Sequence, residues 1–181
     1  MLDTDCDLHT YGTVAGYHAG NDSGAPACTS VLLLAKPLFH AYGAYVVCIA
    51  NGCLAGVDVR LMIPERTDKR FLTWASRSFL HDVIRAGVRV YLYQKGFLHS
   101  KTLVCDDTLM SCGSTNIDFR SFERNFEVNA FVYDKEAALH MKKVFQEDQS
   151  HCRMLNLETW ETRSIWCRVA ESSIRLLSPL L

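Results

Sequence analysis

Short apolar runs alternate with stretches of helical periodicity over most of this chain. Residues 31–34 form an apolar run that fits a buried strand, and residues 40–54 then look helical. Residues 57–63, opened by Gly56 and closed by Pro64, read as a second strand. Over residues 70–86 apolar side chains recur at Phe71, Leu72, Ala75, Phe79, Leu80, Val83 and Ile84. That spacing predicts an amphipathic helix, and Gly87 stops it. Residues 88–93 supply the next strand. Strand, helix, strand, helix, strand is the pattern of an α/β layer fold with parallel strands.

After Gly96 the pattern turns local. Residues 98–105 read as a strand, 106–108 as a turn and 109–111 as a short return strand. Residues 125–133 form another strand, in which Phe126, Val128, Ala130 and Val132 would make an apolar face. Asn125, Glu127 and Asn129 would make the polar one. A helix follows from about 135 to 149, and a further helical stretch lies around 158–177. Residues 1–30 show little periodicity and are expected to be a poorly structured leader. The expected folded domain is 31–150, with 151–181 as a C-terminal helical tail.

Composition narrows the function. Apolar residues make up 49% of the 181 positions, enough for a real core. Nineteen basic against 20 acidic residues leave a formal charge of -1, which weighs against a protein that grips many nucleic-acid phosphates. The 8 cysteines include no Cys-x-x-Cys pair and read as free thiols. Cys6, His9 and His18 match no ordinary zinc spacing, so no metal is expected. No basic start leads into an apolar core with a cleavage site, so no secretory signal is read. Residues 37–57 carry no formal charge and are about long enough to span a bilayer. Their glycines, Pro37, His40 and Asn51 favour a buried helix instead.

The chemistry concentrates in residues 99–116, HSKTLVCDDTLMSCGSTN. On a strand, side chains two apart share a face, so His99 and Lys101 point one way while Ser100 and Thr102 point the other. A nucleophile beside a fixed cation suits attack on a phosphodiester, whose anionic oxygens must be neutralised first. Gly113 permits close backbone approach, and Ser114 and Asn116 can donate hydrogen bonds to phosphate oxygens. A histidine and a lysine two apart usually mean only a solvated face. The whole set, His99-x-Lys101-x4-Asp106-x6-Gly113-Ser114-x-Asn116, is far more specific.

That set resembles the signature of the phospholipase D superfamily, with every element present. The resemblance implies a phospholipase D-like α-β-α sandwich, a mixed sheet flanked by helices. It implies His99 as nucleophile through a phosphohistidine, Lys101 as a phosphate holder and Asp106 as a catalytic support, with no cofactor. Ser114 and Asn116 would complete the phosphate pocket, and Glu127, beside Asn125, would accept a hydrogen bond from the far imidazole nitrogen. The wording of residues 55–181, including SFERNFEVNAFVYDKE, is similar to bacterial cardiolipin synthases. Where those enzymes have Pro-Tyr-Phe-x-Pro, this chain has Pro37-Leu38-Phe39-His40-Ala41.

Cardiolipin synthases carry two such motifs per chain, and here no second His-x-Lys occurs. The expected function is phosphatidyl transfer between two phosphatidylglycerol molecules, incomplete in a single chain. The expected partners are that anionic phospholipid, the cytosolic face of a bacterial membrane, and either a second motif-bearing half or a second copy. Residues 160–181, with Trp160 and Trp166 among Arg163, Arg168 and Arg175, would help the chain sit on the membrane. Two alternatives stand beside this: a homodimeric single-motif phosphodiesterase or nuclease, and an inert fragment.

Overall fold

This computed structural model describes residues 30–36, 49, 51–67, 70–118, 120–121, 124–164 and 173. The expected leader over 1–29, most of the expected helix over 37–57, and the tail beyond 164 apart from residue 173 lie outside the described residues.

Three apolar runs make the middle of the sheet. β1 (Val31–Ala35), β2 (Asp58–Pro64) and β3 (Arg89–Tyr93) pair in parallel, with Val31 opposite Asp58 and Arg60 opposite Arg89. Both faces of these strands are covered, which explains why they read as apolar runs and not as alternation. Leu32 and Leu34 enter one core and Leu33 and Ala35 the other. The first core is closed by α1 (Arg70–Arg85), which sets Phe79, Leu80 and Val83 against Leu61 and Val90. Gly87, at φ 100°, lets the chain leave α1 and turn back into the sheet. The second core is closed by α2 (Lys135–Gln149), which brings Ala138 and Phe145 onto Leu33, Met62 and Val104. Asp134 caps α2 by accepting the Ala137 amide at 2.8 Å.

On one side of β1 lie β4 (Thr102–Cys105), β5 (Leu109–Gly113) and β6 (Asn129–Val132), all antiparallel. Among the described residues the sheet has 7 strands in the order β6-β5-β4-β1-β2-β3-β7, where β7 is Cys152–Met154. With helices over both faces this is the α-β-α sandwich with a mixed sheet that the sequence implies. The β4–β5 hairpin turns on Asp106 and Asp107, at φ 49° and 58°, closed by the Thr108 amide on the Cys105 carbonyl at 3.2 Å. Aspartate tolerates this left-handed backbone better than most residues do.

Two expectations are corrected. β7 (Cys152–Met154), expected in a helical tail, is a strand antiparallel to β3. It covers an edge whose amides and carbonyls would otherwise be open to pairing. Beyond it, α3 (Leu157–Glu161) packs on α1 and buries Trp160 in the first core at 5% exposure, with the Arg163 guanidinium over its ring. The packed unit therefore continues past residue 150, and Trp160 does not face a membrane. The second correction concerns residues 125–133. Only Asn129–Val132 pair, and Phe126 and Val128 are exposed at 92% and 78%. β6 is the edge strand; Val132 packs on the second core and Phe131 on the first, while Phe126 and Val128 precede the paired residues. Glu127 and Asn129 point inward instead.

Among the described residues Cys53, Cys105, Cys112 and Cys152 are free thiols, and Cys112 is exposed. No described helix is long and apolar enough to cross a membrane.

Candidate active site

The site stands where β1 ends, β4 begins and β5 ends. Parallel strands leave their carboxyl ends open in this way, and ligand sites gather there. His99 and Lys101 lie on a stretch that runs extended into β4, and the Lys101 carbonyl accepts the Gly113 amide at 3.3 Å. Leu98 anchors it in the second core, and Ser100 and Thr102 meet on the opposite face, Oγ to Oγ1 at 3.1 Å. His99 is exposed. The Lys101 ammonium lies 3.1 Å from His99 Nδ1 and 3.0 Å from Nε2, and donates to the His99 carbonyl at 3.1 Å. The in-plane axes at the two ring nitrogens diverge, so one ammonium near both nitrogens rests against the ring and not along either axis. Phe97 stacks on the imidazole with centroids 5.6 Å apart and planes 22° from parallel. Burial draws the Lys101 ammonium below its ordinary value, opposed by the carboxylates of Glu127 and Asp118.

The loop after β5 is braced from several directions. A side chain at Gly113 would collide with the Asn129 side-chain oxygen and the Val128 carbonyl, so only glycine fits. The Ser114 amide donates to the Val128 carbonyl at 2.9 Å, and the Val128 amide returns a bond to Ser114 Oγ at 3.0 Å. That hydroxyl in turn donates to Glu127 Oε2, while Asn125 Nδ2 donates to Oε1 at 3.4 Å. Asn129 Nδ2 donates to Thr115 Oγ1, and the Asn116 amide donates to Ser121 Oγ at 3.3 Å. Asn116 Oδ1 is buried without a hydrogen-bond partner among the described residues.

The sequence-predicted set is thus brought together in part. His99, Lys101, Ser114, Asn116, Asn125 and Glu127 gather around one end of the sheet. Glu127 bonds Ser114 and Asn125 and not the imidazole, because the inward face of the 125–129 stretch packs on the 113–116 loop. Asp106 is not at the site. It lies five residues past Lys101 along β4, roughly 16 Å at ~3.3 Å per residue. There its Oδ1 accepts the Ser30 and Val31 amides, each at 2.8 Å, and ties the hairpin turn to the start of β1.

The sequence reading missed Lys36. This lysine directly follows β1, is 3% exposed, and its Nζ donates to the Thr115 carbonyl at 3.0 Å. Burial pushes its ammonium down to about 8; the charge of Lys101 adds to the shift and Glu127 opposes it. A lysine closing an apolar run at the carboxyl end of a central strand was the available signal. Phe97 was missed as well, since an exposed aromatic beside a histidine has no signature of its own.

The other described histidines stand away from the site. His81 faces Asp82 and Glu161 at 3.5 and 3.6 Å, His151 lies beside Lys95, and His140 is on α2. His9, His18 and His40 lie outside the described residues. Among the described residues no group of three or more His, Cys, Asp or Glu gathers that could hold a metal ion.

Comparisons with known proteins agree with this geometry. The family described as cardiolipin synthase, PLD-like domain, matches residues 34–149. The major cardiolipin synthase of Bacillus subtilis is 43% identical over 150 residues, which cover 83% of this chain and 31% of that protein. This chain therefore spans about a third of that relative's length. Among solved structures, Nuc of Salmonella typhimurium, a phospholipase D family member, superposes with a TM-score of 0.66 at 15% identity, covering 81% of this chain and 90% of that one. Phosphatidylserine synthase of Haemophilus influenzae gives 0.67 at 16% identity, covering 86% and 42%. At those identities the structures speak for the fold alone. The match over 34–149, together with the His99–Lys101 pair and its braced loop, places this chain in the phospholipase D-like domain family of cardiolipin synthases.

Proposed function

We propose that this chain supplies one half of a phosphatidyl-transfer centre that joins two phosphatidylglycerol molecules into cardiolipin and glycerol. The observation that carries the reading is the exposed His99 held against Lys101 beside the braced 113–116 loop. A free imidazole nitrogen attacks the phosphorus, and the bond from phosphorus to the departing glycerol oxygen breaks. Lys101 and Asn116 hold the non-bridging oxygens as charge grows on them, while Ser114, whose hydroxyl proton goes to Glu127, braces the loop beside them. The glycerol alkoxide leaves with a proton from a general acid. A hydroxyl of the second phosphatidylglycerol then attacks the phosphohistidine, gives its proton to that same acid's conjugate base, and frees His99.

The general acid comes from outside this set of residues. The sequence holds a single His-x-Lys pair, so the partner is either a second motif-bearing half or a second copy of this chain. The site works peripherally at the cytosolic face of a bacterial membrane, where its lipid substrates lie. Exposed Phe97 and Phe126, within two residues of site residues, support contact with an apolar surface.

The test is cardiolipin formation from phosphatidylglycerol vesicles by the chain, alone and with the remaining part of a cardiolipin synthase. Product should appear with a competent partner, and His99→Asn should abolish it. Cardiolipin output at the wild-type rate from His99→Asn refutes the mechanism. DNA cleavage in chelator without lipid product refutes the substrate.

A further inference from the structure

An ammonium carries three N–H donors. Among the described residues that of Lys36 has one acceptor, the Thr115 carbonyl at 3.0 Å, although the residue is 3% exposed. No described carboxylate pairs with it. Glu127, bonded to Ser114 and Asn125, acts on it through its charge without contact, and Asp118 accepts the Ser121 amide. Burying a cation with no described carboxylate in contact is a costly arrangement, so its persistence needs a reason. Thr115 lies between Ser114 and Asn116. The ammonium therefore pulls on the middle of the 113–116 loop that stands beside His99 and Lys101 at the end of the sheet.

We propose that Lys36 is a second cation of the phosphate site, beside Lys101, acting from beneath it: it holds the Thr115 carbonyl, and the counter-charge that comes within its reach is the phosphate group that binds above. The inference rests on the phosphate-transfer reading of the site and adds to it a residue that touches the loop rather than the substrate. Lys36 is a positioning residue. Its ammonium fixes the 113–116 backbone and makes the floor of the pocket positive. A bound phosphate favours the charged ammonium, so binding and the protonation of Lys36 strengthen each other. The depression of that ammonium to about 8 by burial agrees with a charge that lacks a contacting carboxylate.

The experiment titrates inorganic phosphate into the full chain. Phosphorus NMR reads affinity, and carbon-labelled lysine side chains read the Lys36 titration, its signal identified by its loss in Lys36→Arg. Phosphate should raise the Lys36 midpoint. Lys36→Met should weaken phosphate binding roughly tenfold or more. The same variant should keep its melting temperature within about 5 °C, because methionine fills similar space and removes a buried charge. A purely structural brace gives the reverse, lost stability with affinity unchanged per folded molecule, and overturns the proposal. The wild-type titration decides even if the methionine variant does not fold: a Lys36 midpoint unmoved at saturating phosphate also overturns it. If Lys101→Met loses phosphate while Lys36→Met does not, the site reading stands and Lys36 falls. If the wild type binds no phosphate, both fall. Repeating the titration with glycerophosphoglycerol, the soluble diester headgroup, separates the sources. Equal losses there support a lipid headgroup, whereas a response to inorganic phosphate alone supports Lys36 as a site for the free anion.

Discussion

Replacing Asp106 separates a folding role from a catalytic one. Its Oδ1 accepts the Ser30 and Val31 amides, each at 2.8 Å. Hydrogen bonds to a charged group contribute about 1.5–3 kcal/mol each. The Ser30 amide is exposed and recovers water when the carboxylate goes, so only the part-buried Val31 bond counts in full, about 2 kcal/mol. Asp106 also sits at φ 49°, where alanine costs about 1 kcal/mol more. Asp106→Ala should therefore lose about 3 kcal/mol in urea denaturation, at an unchanged dependence on denaturant. Asp106→Asn keeps an acceptor and tolerates the left-handed backbone, and should lose only about 1 kcal/mol. Neither change should alter phosphate affinity per folded molecule, since the residue stands at the other end of β4. The opposite pattern, stability intact and phosphate binding gone in Asp106→Asn, would refute the placement and restore Asp106 to the site.

Two further outcomes follow from the same geometry. Gly113→Ala should lower stability by about 1–3 kcal/mol and weaken phosphate binding, because the added methyl meets two oxygens of the β6 approach; an unchanged thermal melt contradicts the close packing. Lys36 titrates near 8 when folded and near 10.5 when unfolded, so between those values the unfolded chain binds the extra proton. Stability should then rise with pH across that window by up to roughly 3 kcal/mol relative to Lys36→Met, and stay flat below it. Denaturation curves of both proteins from pH 7.5 to 10.5 would show parallel behaviour if the ammonium were not buried.

Much of the fold is legible in the sequence because it is local. The apolar runs of β1, β2 and β3, the heptad-like stripe of α1 and its stop at Gly87 follow from burial on both faces and from one-sided packing. The edges were harder. β7 is three residues long and carries no alternation to read, and its pairing is set by the open side of β3. The alternation in 125–133 failed at Phe126 and Val128, which stand exposed ahead of the four paired residues, whereas Val132 packs on the second core.

The spacing of His99 and Lys101 by itself determined that they meet, because an extended backbone puts residues two apart on one face whatever surrounds it. The same holds for the glycine at 113, where only the absence of a side chain permits the approach of Val128. Asp106 shows the limit: five residues of extended chain carry it away from its motif partners, and the linear pattern does not register that distance. Glu127 and Lys36 were settled only in three dimensions. Glu127 meets Ser114 across 13 residues and Lys36 meets Thr115 across 79. Contacts between such distant positions depend on strand order, and strand order is a property of the packed sheet rather than of any one segment.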